Sequence, residues 1–507
     1  MNILVFGCLA RLKIFLKILF FKQIHLFSIT HENGFFMDNS QNILQRFALR
    51  VSDWSEKWFP DSYIFALLGV IIVAIASISI GAPVKDVAIS FGDGFWSLIP
   101  FTMQMCMLIV VGYVVSVSKP VELLIQKMAL IPSTGRGAIV LVTSVSLCIS
   151  LINWAMSTVL TALLVIALAK RKELNMDYRA AAAGSIIGMG ATWALGISSS
   201  AAQLQANKGS LPESIYNLTG VIPFTETIFL PQSMIMTAVL IVASIAIAFW
   251  SAPRGNNIKT LDQFPIHFDE EKTEDQAQKV KRPGDWLENS PILSIIIVVL
   301  GVVWMFNEFS KSNPILAISS LNTYNFIFLI LGIALHGTPR NFLNAVSKAV
   351  PAVSGVLIQF PLYGSIAFMM THALNSQDLS LSHYIAEFFV SIASKETFAI
   401  VMGLYSAILG FFIPSGGGKW IIEAPYVMQA AHDLKVHLGW SVQIYNAAEA
   451  LPNLINPFFM LPMLGILKLK AKDVIGFTVT QLVFHLPLVL FLLWILGRTL
   501  TYTVPVF

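Results

Sequence analysis

The chain has 507 residues, of which 56% are hydrophobic and 12% charged, with a mean hydropathy of +0.73. Apolar runs recur along nearly its whole length, which points to a polytopic membrane protein and excludes a soluble globular class. The net charge of +4 comes from basic residues clustered in short loops between spans, a positive-inside pattern and not a nucleic-acid footprint.

Residues 1–36 carry short apolar stretches interrupted by Arg11, Lys13, Lys17 and Lys22. They read as a basic amphipathic segment on the membrane, as a poor signal peptide without a small-residue cleavage site, or as a misassigned start with Met37 as the first residue. Residues 37–61, with Arg46, Arg50, Lys57, Trp54 and Trp58, predict an interfacial cytoplasmic helix anchored by its aromatics.

A span is expected over residues 63–80 and a second over 92–117, led in by Gly92-Asp93-Gly94-Phe95-Trp96. Residues 137–169 are too long for one span and too short for two, because a spanning helix needs about 20 residues. Basic residues flank them on both sides, Lys119, Lys127 and Arg136 before and Lys170-Arg171-Lys172 after, so a re-entrant hairpin with its tip near Asn153 satisfies the charge pattern. In residues 178–206, Gly188, Gly190, Gly196 and Ser198-Ser199-Ser200 predict an unwound second half. A polar outer loop, a span over 233–250 and a flexible hydrophilic linker follow.

The second half repeats the plan. Residues 292–306 form a linking span, residues 326–336 lie in the next, which returns to Arg340 and Lys348, and residues 350–370 cross out. Between the apolar segments 398–412 and 420–431 lies Ile413-Pro414-Ser415-Gly416-Gly417-Gly418-Lys419-Trp420. Pro414 removes a helix donor and each glycine forfeits about 1 kcal/mol against alanine, so the backbone is expected to leave the helix here and restart near Lys419. Its helix N-terminus would suit an anion, though a tight turn between two buried helices accounts for the same residues. Residues 442–467 predict a span broken by Pro452, Asn456-Pro457 and Pro462, and residues 474–496 a final span.

Gln104 and Gln359 coincide when the halves are superposed, and each half then runs hairpin, broken span, plain span. The expected fold is an all-α polytopic membrane protein of two inverted repeats, each with a re-entrant hairpin and a broken helix, with nine crossings and the amino terminus inside. The expected divisions are the extension 1–36, the interfacial helix 37–61, a first transmembrane repeat 62–250, a cytoplasmic linker 251–290, a linking span 291–320, a second repeat 321–498 and a tail 499–507.

An anion in such a site needs donors that also let go. Candidate substrate-binding residues are Asn153, Trp154, Ser157 and Thr158 at the first tip and Ser415, Gly416, Gly417, Gly418, Lys419 and Trp420 at the second, with Gln104 and Gln359. Ser198, Ser199, Asn453 and Asn456 at the breaks, with Glu423 and Glu449, are candidates for coupling to Na⁺ or H⁺. Each hydroxyl or amide alone equally suits helix–helix hydrogen bonding. Lys419 either meets a substrate carboxylate or is neutralised by Glu423 one turn on, and Glu449 either carries a proton or faces water near the loop. Asp93 and His336, at span ends, are taken as structural.

Cys8, Cys106 and Cys148 lack metal spacing, and the sequence has no Walker, HExxH, GxSxG or CxxC motif, so no cofactor, resident metal or hydrolytic centre is expected. His336, His372 and His432 are scattered, which argues against an embedded enzyme.

Gly92-Asp93-Gly94-Phe95-Trp96 before Met103-Gln104-Met105, then Ile152-Asn153-Trp154, Gln359-Phe360-Pro361 and Pro414-Ser415-Gly416-Gly417-Gly418 followed by Trp420, resemble the AtoE-type short-chain fatty acid transporter family from about Arg46 to near the carboxyl end. The resemblance implies the ion-transporter superfamily, with inverted repeats, paired hairpins and elevator-like motion. It implies uptake of small monocarboxylates such as butyrate or acetoacetate, coupled to H⁺ or Na⁺, in a bacterial inner membrane. Lys419 and Glu423 stand where some members carry histidine and glutamine, so coupling and selectivity are where this chain would differ. The partners so implied are the monocarboxylate, the lipid bilayer and a homodimer mate, with no nucleic acid. A cation/proton antiporter or a dicarboxylate transporter of the same superfamily is the alternative.

Overall fold

The computed structural model describes residues 62–97, 99–206, 208, 211, 213–266, 268, 282–311, 317, 321–381, 383–384, 391–412 and 416–505. The extension 1–36, the interfacial helix expected in 37–61 and Ser415 lie outside these residues. Among the described residues there is helix and no strand.

Helices α1 (Ser62–Ser79) and α2 (Val84–Ser97) are joined through Gly81, whose φ of +101° suits glycine. Gly92-Asp93-Gly94-Phe95-Trp96 lies inside α2, within the stretch Val84–Ser116 that continues into α3. Gly94 marks a helix crossing: a Cβ there would collide with Phe368 and stand 2.8 Å from the Gly364 carbonyl. Next come α3 (Ile99–Ser116) and the amphipathic α4 (Lys119–Ala129).

Helices α5 (Gly135–Ser150) and α6 (Trp154–Ala169) have 16 residues each and pack against one another. Each is about 24 Å long, short of a hydrocarbon core of about 30 Å. Helix α7 (Tyr178–Ala191) starts at its cap Asp177, whose Oδ1 accepts from Ala180 N at 2.9 Å. It then breaks into a 3₁₀ turn, Trp193–Leu195, before α8 (Ser200–Ala206). Helices α9 (Glu213–Thr219) and α10 (Pro231–Ser251) follow. The linker is not free at its start: Lys259 N donates to Asp177 Oδ2 at 2.9 Å and the Phe264 ring lies 5.9 Å from Tyr178.

The rest of the chain runs through α11 (Pro283–Asn289), α12 (Pro291–Lys311), α13 (Leu321–His336), the amphipathic α14 (Pro339–Ala349) and α15 (Ser354–His372). His336 Nε2 lies 2.8 Å from the Val114 carbonyl and ties α13 to α3.

Then come α16 (Phe398–Phe412), α17 (Gly416–Asp433), α18 (Leu438–Ala450), a 3₁₀ turn Leu451–Leu454, α19 (Pro457–Leu467) and α20 (Ala471–Gly497). Two expectations change here. Gly416, Gly417 and Gly418 belong to the first turn of α17, so the helix starts at Gly416 and not near Lys419. First-turn N–H groups have no partner within the helix, so glycine at that end interrupts no ladder. Pro462 lies inside α19 and is no break; the break is at residues 451–456.

Among the described residues six helical stretches are long and apolar enough to cross a membrane: Val84–Ser116, Tyr178–Ala206, Pro231–Ser251, Pro291–Lys311, Ser354–His372 and Ala471–Gly497. The most apolar of them are not the innermost. Tyr178–Ala206 is 94% buried and Pro291–Lys311 only 11%. Lipid tails are as apolar as leucine, so small and polar residues gather inside and α12 is left facing outward.

The two broken helices interlock. The 3₁₀ turn after α7 packs on α18, the 3₁₀ turn after α18 packs on α7, and α10 pairs with α20.

Candidate functional site

The α5–α6 turn is set by Asn153, whose extended backbone and Oδ1, accepting from Met156 N at 2.8 Å, cap α6. Capping occupies the oxygen and leaves Asn153 Nδ2 buried without a hydrogen-bond partner. Tyr324 donates to the Ile152 carbonyl at 2.7 Å, which holds the turn against α13 with its hydroxyl beside Asn153. Trp154, also buried, lines an apolar cavity of about 10 Å³ with Ile109, Val356, Phe360, Phe459 and Pro462, space for about one water.

The break after α7 closes over this turn. Ser198 N donates to the Leu151 carbonyl at 3.3 Å, and a Cβ at Gly196 would collide with that same oxygen. Ser198 Oγ is buried without a partner, as is Trp193 Nε1. The Trp193 ring reaches the other hairpin, where a Cβ at Gly416 would stand 2.6 Å from it. Ser199 donates to Asn446 Oδ1 at 3.0 Å and so joins the first break to α18.

The start of α17 carries the buried charges. Lys419, 0% exposed, donates to the Ser406 carbonyl at 2.9 Å and Ser406 Oγ at 2.8 Å, and meets Glu423 Oε1 at 3.0 Å. Ser406 Oγ in turn donates to Glu423 Oε2 at 2.9 Å. Lys419 also sits 4.5 Å above the Tyr445 ring, and Tyr445 Oη donates to the Gly416 carbonyl at 2.6 Å. The ammonium thus makes two hydrogen bonds to Ser406 and an ion-pair contact with Glu423, so the Lys419–Glu423 pair is closed upon itself. The Trp420 ring packs at a tilt of 50° against Tyr445, with centroids 4.6 Å apart, and its Nε1 donates to Gln205 Oε1 at 3.3 Å.

Glu449 is different. It is 1% exposed, four residues beyond Tyr445 on α18, and neither carboxylate oxygen has a hydrogen-bond partner. It does not face water at a loop. A Cβ at Gly416 would lie 3.6 Å from its Oε2, so it adjoins the second tip. One turn on, Asn453 Nδ2 donates to the Met189 carbonyl at 3.1 Å, while its Oδ1 is buried and unpartnered. Asn456 Nδ2 donates to the Phe411 carbonyl at 3.3 Å and ties the second break to α16.

The fold therefore brings Asn153, Ser198 and Ser199 to one side, and Gly416, Lys419, Trp420, Glu423, Glu449 and Asn453 to the other, with Trp193 between. Ser157 and Thr158 serve the hairpin itself, donating to the Ser146 carbonyl at 2.9 Å and the Ala155 carbonyl at 2.8 Å. Gln104 donates to Asn322 at 2.9 Å on the α3–α13 seam, and Gln359 accepts from Tyr363 one turn on, at 3.5 Å. The two glutamines therefore do not share a site.

Sequence reasoning missed Trp193, Ser406 and Tyr445. Ser406 was visible as a lone hydroxyl in an apolar helix, and Tyr445 by its spacing of four from Glu449. Trp193 carried no such signal.

The short chain fatty acid transporter family model matches residues 43–496. A relative from Escherichia coli (strain K12) is 34% identical over 430 residues, covering 84% of this chain and 94% of that protein. Another, from Haemophilus influenzae (strain ATCC 51907 / DSM 11121 / KW20 / Rd), is 32% identical over 456 residues, covering 88% and 98%. Both carry provisional names as short-chain fatty acid transporters. Among solved structures, Neisseria gonorrhoeae MtrF is similar at 13% identity and a TM-score of 0.47, covering 90% of this chain and 98% of that one. The Alcanivorax borkumensis YdaH transporter is similar at 12% identity and a TM-score of 0.45, covering 89% and 98%. A family match over nearly the whole chain, with relatives above 30% identity across most of it, settles membership: this chain belongs to the short chain fatty acid transporter family, and it is a multi-pass membrane transporter and not an enzyme.

Proposed function

We propose that the protein is a secondary active transporter that carries a small monocarboxylate, such as butyrate or acetoacetate, into the cell together with a proton. The single observation that carries the coupling is Glu449, a fully buried carboxylate with no hydrogen-bond partner. Leaving an isolated carboxylate charged in such surroundings costs many kcal/mol, so it needs a proton or a cation. Lys419 is already engaged by Glu423 and Ser406.

Among the buried groups without a hydrogen-bond partner, Asn153 Nδ2, Ser198 Oγ and Trp193 Nε1 can donate on the first-hairpin side, where Gln203 Oε1 can only accept, and Glu449, Glu423 Oε1 and Asn453 Oδ1 are acceptors on the second. A carboxylate suits the donors and a cation suits the acceptors. The alkyl tail would rest on Trp154 and Trp420. Ser415, Gly417 and Gly418 complete the second tip in this scheme. Na⁺ is the second reading, favoured by Asn453 Oδ1 as an added oxygen ligand.

We read α5–α6 and α16–α17 as re-entrant hairpins of inverted repeats that move by alternating access in a bacterial inner membrane, with the amino terminus cytoplasmic. Supporting this are the reciprocal packing of the two breaks and the basic residues at both ends of α5–α6.

The experiment is uptake of labelled butyrate and acetoacetate into proteoliposomes under separately imposed proton and sodium gradients. Accumulation under the proton gradient, competed by acetate, is expected. Accumulation only with sodium transfers the coupling to the second reading. Competition by succinate but not by acetate turns the substrate to a dicarboxylate, and no accumulation under either gradient overturns the proposal.

A further inference from the structure

A cleft of about 420 Å³ opens between the beginning of α5, the end of α10 and the segment that leaves it, away from both hairpin tips. Arg136, from the first turn of α5, and Arg254, just past α10, both line it. Arg136 lies over the Phe249 ring at 5.3 Å. Among the described residues neither guanidinium meets a hydrogen-bond acceptor or a carboxylate, and Arg254 Nε is buried without a partner.

One acidic residue, Asp177, also lines the cleft, but it is spent. Its Oδ2 accepts from Arg179 and from Lys259 N at 2.9 Å each, and its Oδ1 accepts from Ala180 N at 2.9 Å. The cleft thus keeps two uncompensated positive charges. The 16-residue α5 aims its N-terminus at them, with Thr134 Oγ1 taking the Gly137 N–H at 3.1 Å. Two planar forks and a helix N-terminus match the oxygens of a phosphate group.

We propose that this cleft binds a phosphate group, as the headgroup of an anionic phospholipid or as free phosphate. The surroundings suit the lipid. Phe249 and Trp250 at the end of α10 are exposed, and so are Val242, Ile235 and Met234 along the same helix. An acyl chain could lie on that apolar face while its phosphate sits between Arg136 and Arg254. Basic pockets between helices at the membrane surface recognise anionic lipids by this chemistry.

The test is thermal melting of the purified full-length protein in neutral detergent with phosphatidylglycerol, phosphatidylcholine or inorganic phosphate. It is run on the wild type, R136Q/R254Q and R136K/R254K. Phosphatidylglycerol is expected to raise the melting temperature by several degrees and phosphatidylcholine not to. The rise should vanish in the glutamine pair and persist in part in the lysine pair, which keeps the charge. A rise with inorganic phosphate alone that is lost in the glutamine pair supports the site with the soluble anion as its ligand. If the glutamine pair does not melt cooperatively, R136Q and R254Q singly are each expected to halve the rise. An equal rise in wild type and glutamine variants, or none with either phosphate source, overturns the proposal.

Discussion

The turn at residues 151–153 and the start of α17 flank the same helix break, yet they are built from opposite chemistry. The first is uncharged: Asn153 caps α6 with its oxygen and leaves an amide donor free, and Leu151 receives Ser198 N. The second gathers one ammonium and two carboxylates at 0–1% exposure. A neutral tip needs no counter-ion and releases an anion readily. A charged tip must balance its books internally, and here the one ammonium makes its close contact, at 3.0 Å, with Glu423. The contrast teaches that two buried helix ends beside one break need not do the same task. On this view the first receives the substrate and the second manages the accompanying charge.

Substitutions centred on four residues break or sharpen that contrast. The largest effect is expected from Glu449→Gln, which keeps the shape and removes the proton site. Gradient-driven accumulation in proteoliposomes should fall to passive equilibration, while exchange of labelled for unlabelled substrate persists. Wild-type accumulation in this variant would leave the second tip without its assigned task.

Lys419→Met comes next. It leaves Glu423 buried without a cation, at a cost of about 3–5 kcal/mol. Thermal melting should fall sharply, and the double variant K419M/E423Q should recover most of the loss. A Lys419→Met melt equal to wild type would mean that the pair carries little.

Asn153 separates structure from binding. Ser caps a helix about as well as Asn and brings no charge to this buried position, so Asn153→Ser should preserve the melting temperature. It removes the amide donor, and losing a hydrogen bond to a charged group costs about 1.5–3 kcal/mol, so KM should rise about 10- to 100-fold. Asn153→Ala should lose the same affinity and about 1 kcal/mol of stability as well. A KM unchanged in Asn153→Ser would remove the first tip from the substrate site.

The smallest effect is expected at Ser157. Its hydroxyl serves the Ser146 carbonyl within the hairpin, so Ser157→Ala should cost about 1 kcal/mol in melting and leave KM alone. A raised KM would return Ser157 to the substrate site.

Much of the architecture was legible without coordinates, because it follows from local constraints. Apolar runs too short to span, prolines at 452 and 457 and the glycines and serines from 188 to 200 located the α5–α6 turn and both breaks. The site was legible only in part. Asn153, Lys419, Glu423 and Glu449 could be singled out because polar groups are costly at membrane depth. Their division of labour could not. Whether Lys419 faces a ligand or Glu423 depends on Ser406, 13 residues away on another helix. Whether Glu449 meets water depends on the packing of α16, α17 and the first break around it.

The sequence by itself determined that this is a helical membrane protein, where two of its helices break, and which polar residues are candidates at depth, since hydropathy, proline and glycine act through neighbouring residues. Only the tertiary structure decided which of those residues have partners. Gly94 became a crossing point with α15, Gln104 joined a seam with Asn322, and Glu449 was left buried and unpaired. Hydrogen bonds reach about 3 Å, and whether two residues hundreds of positions apart come that close is settled by how whole helices pack.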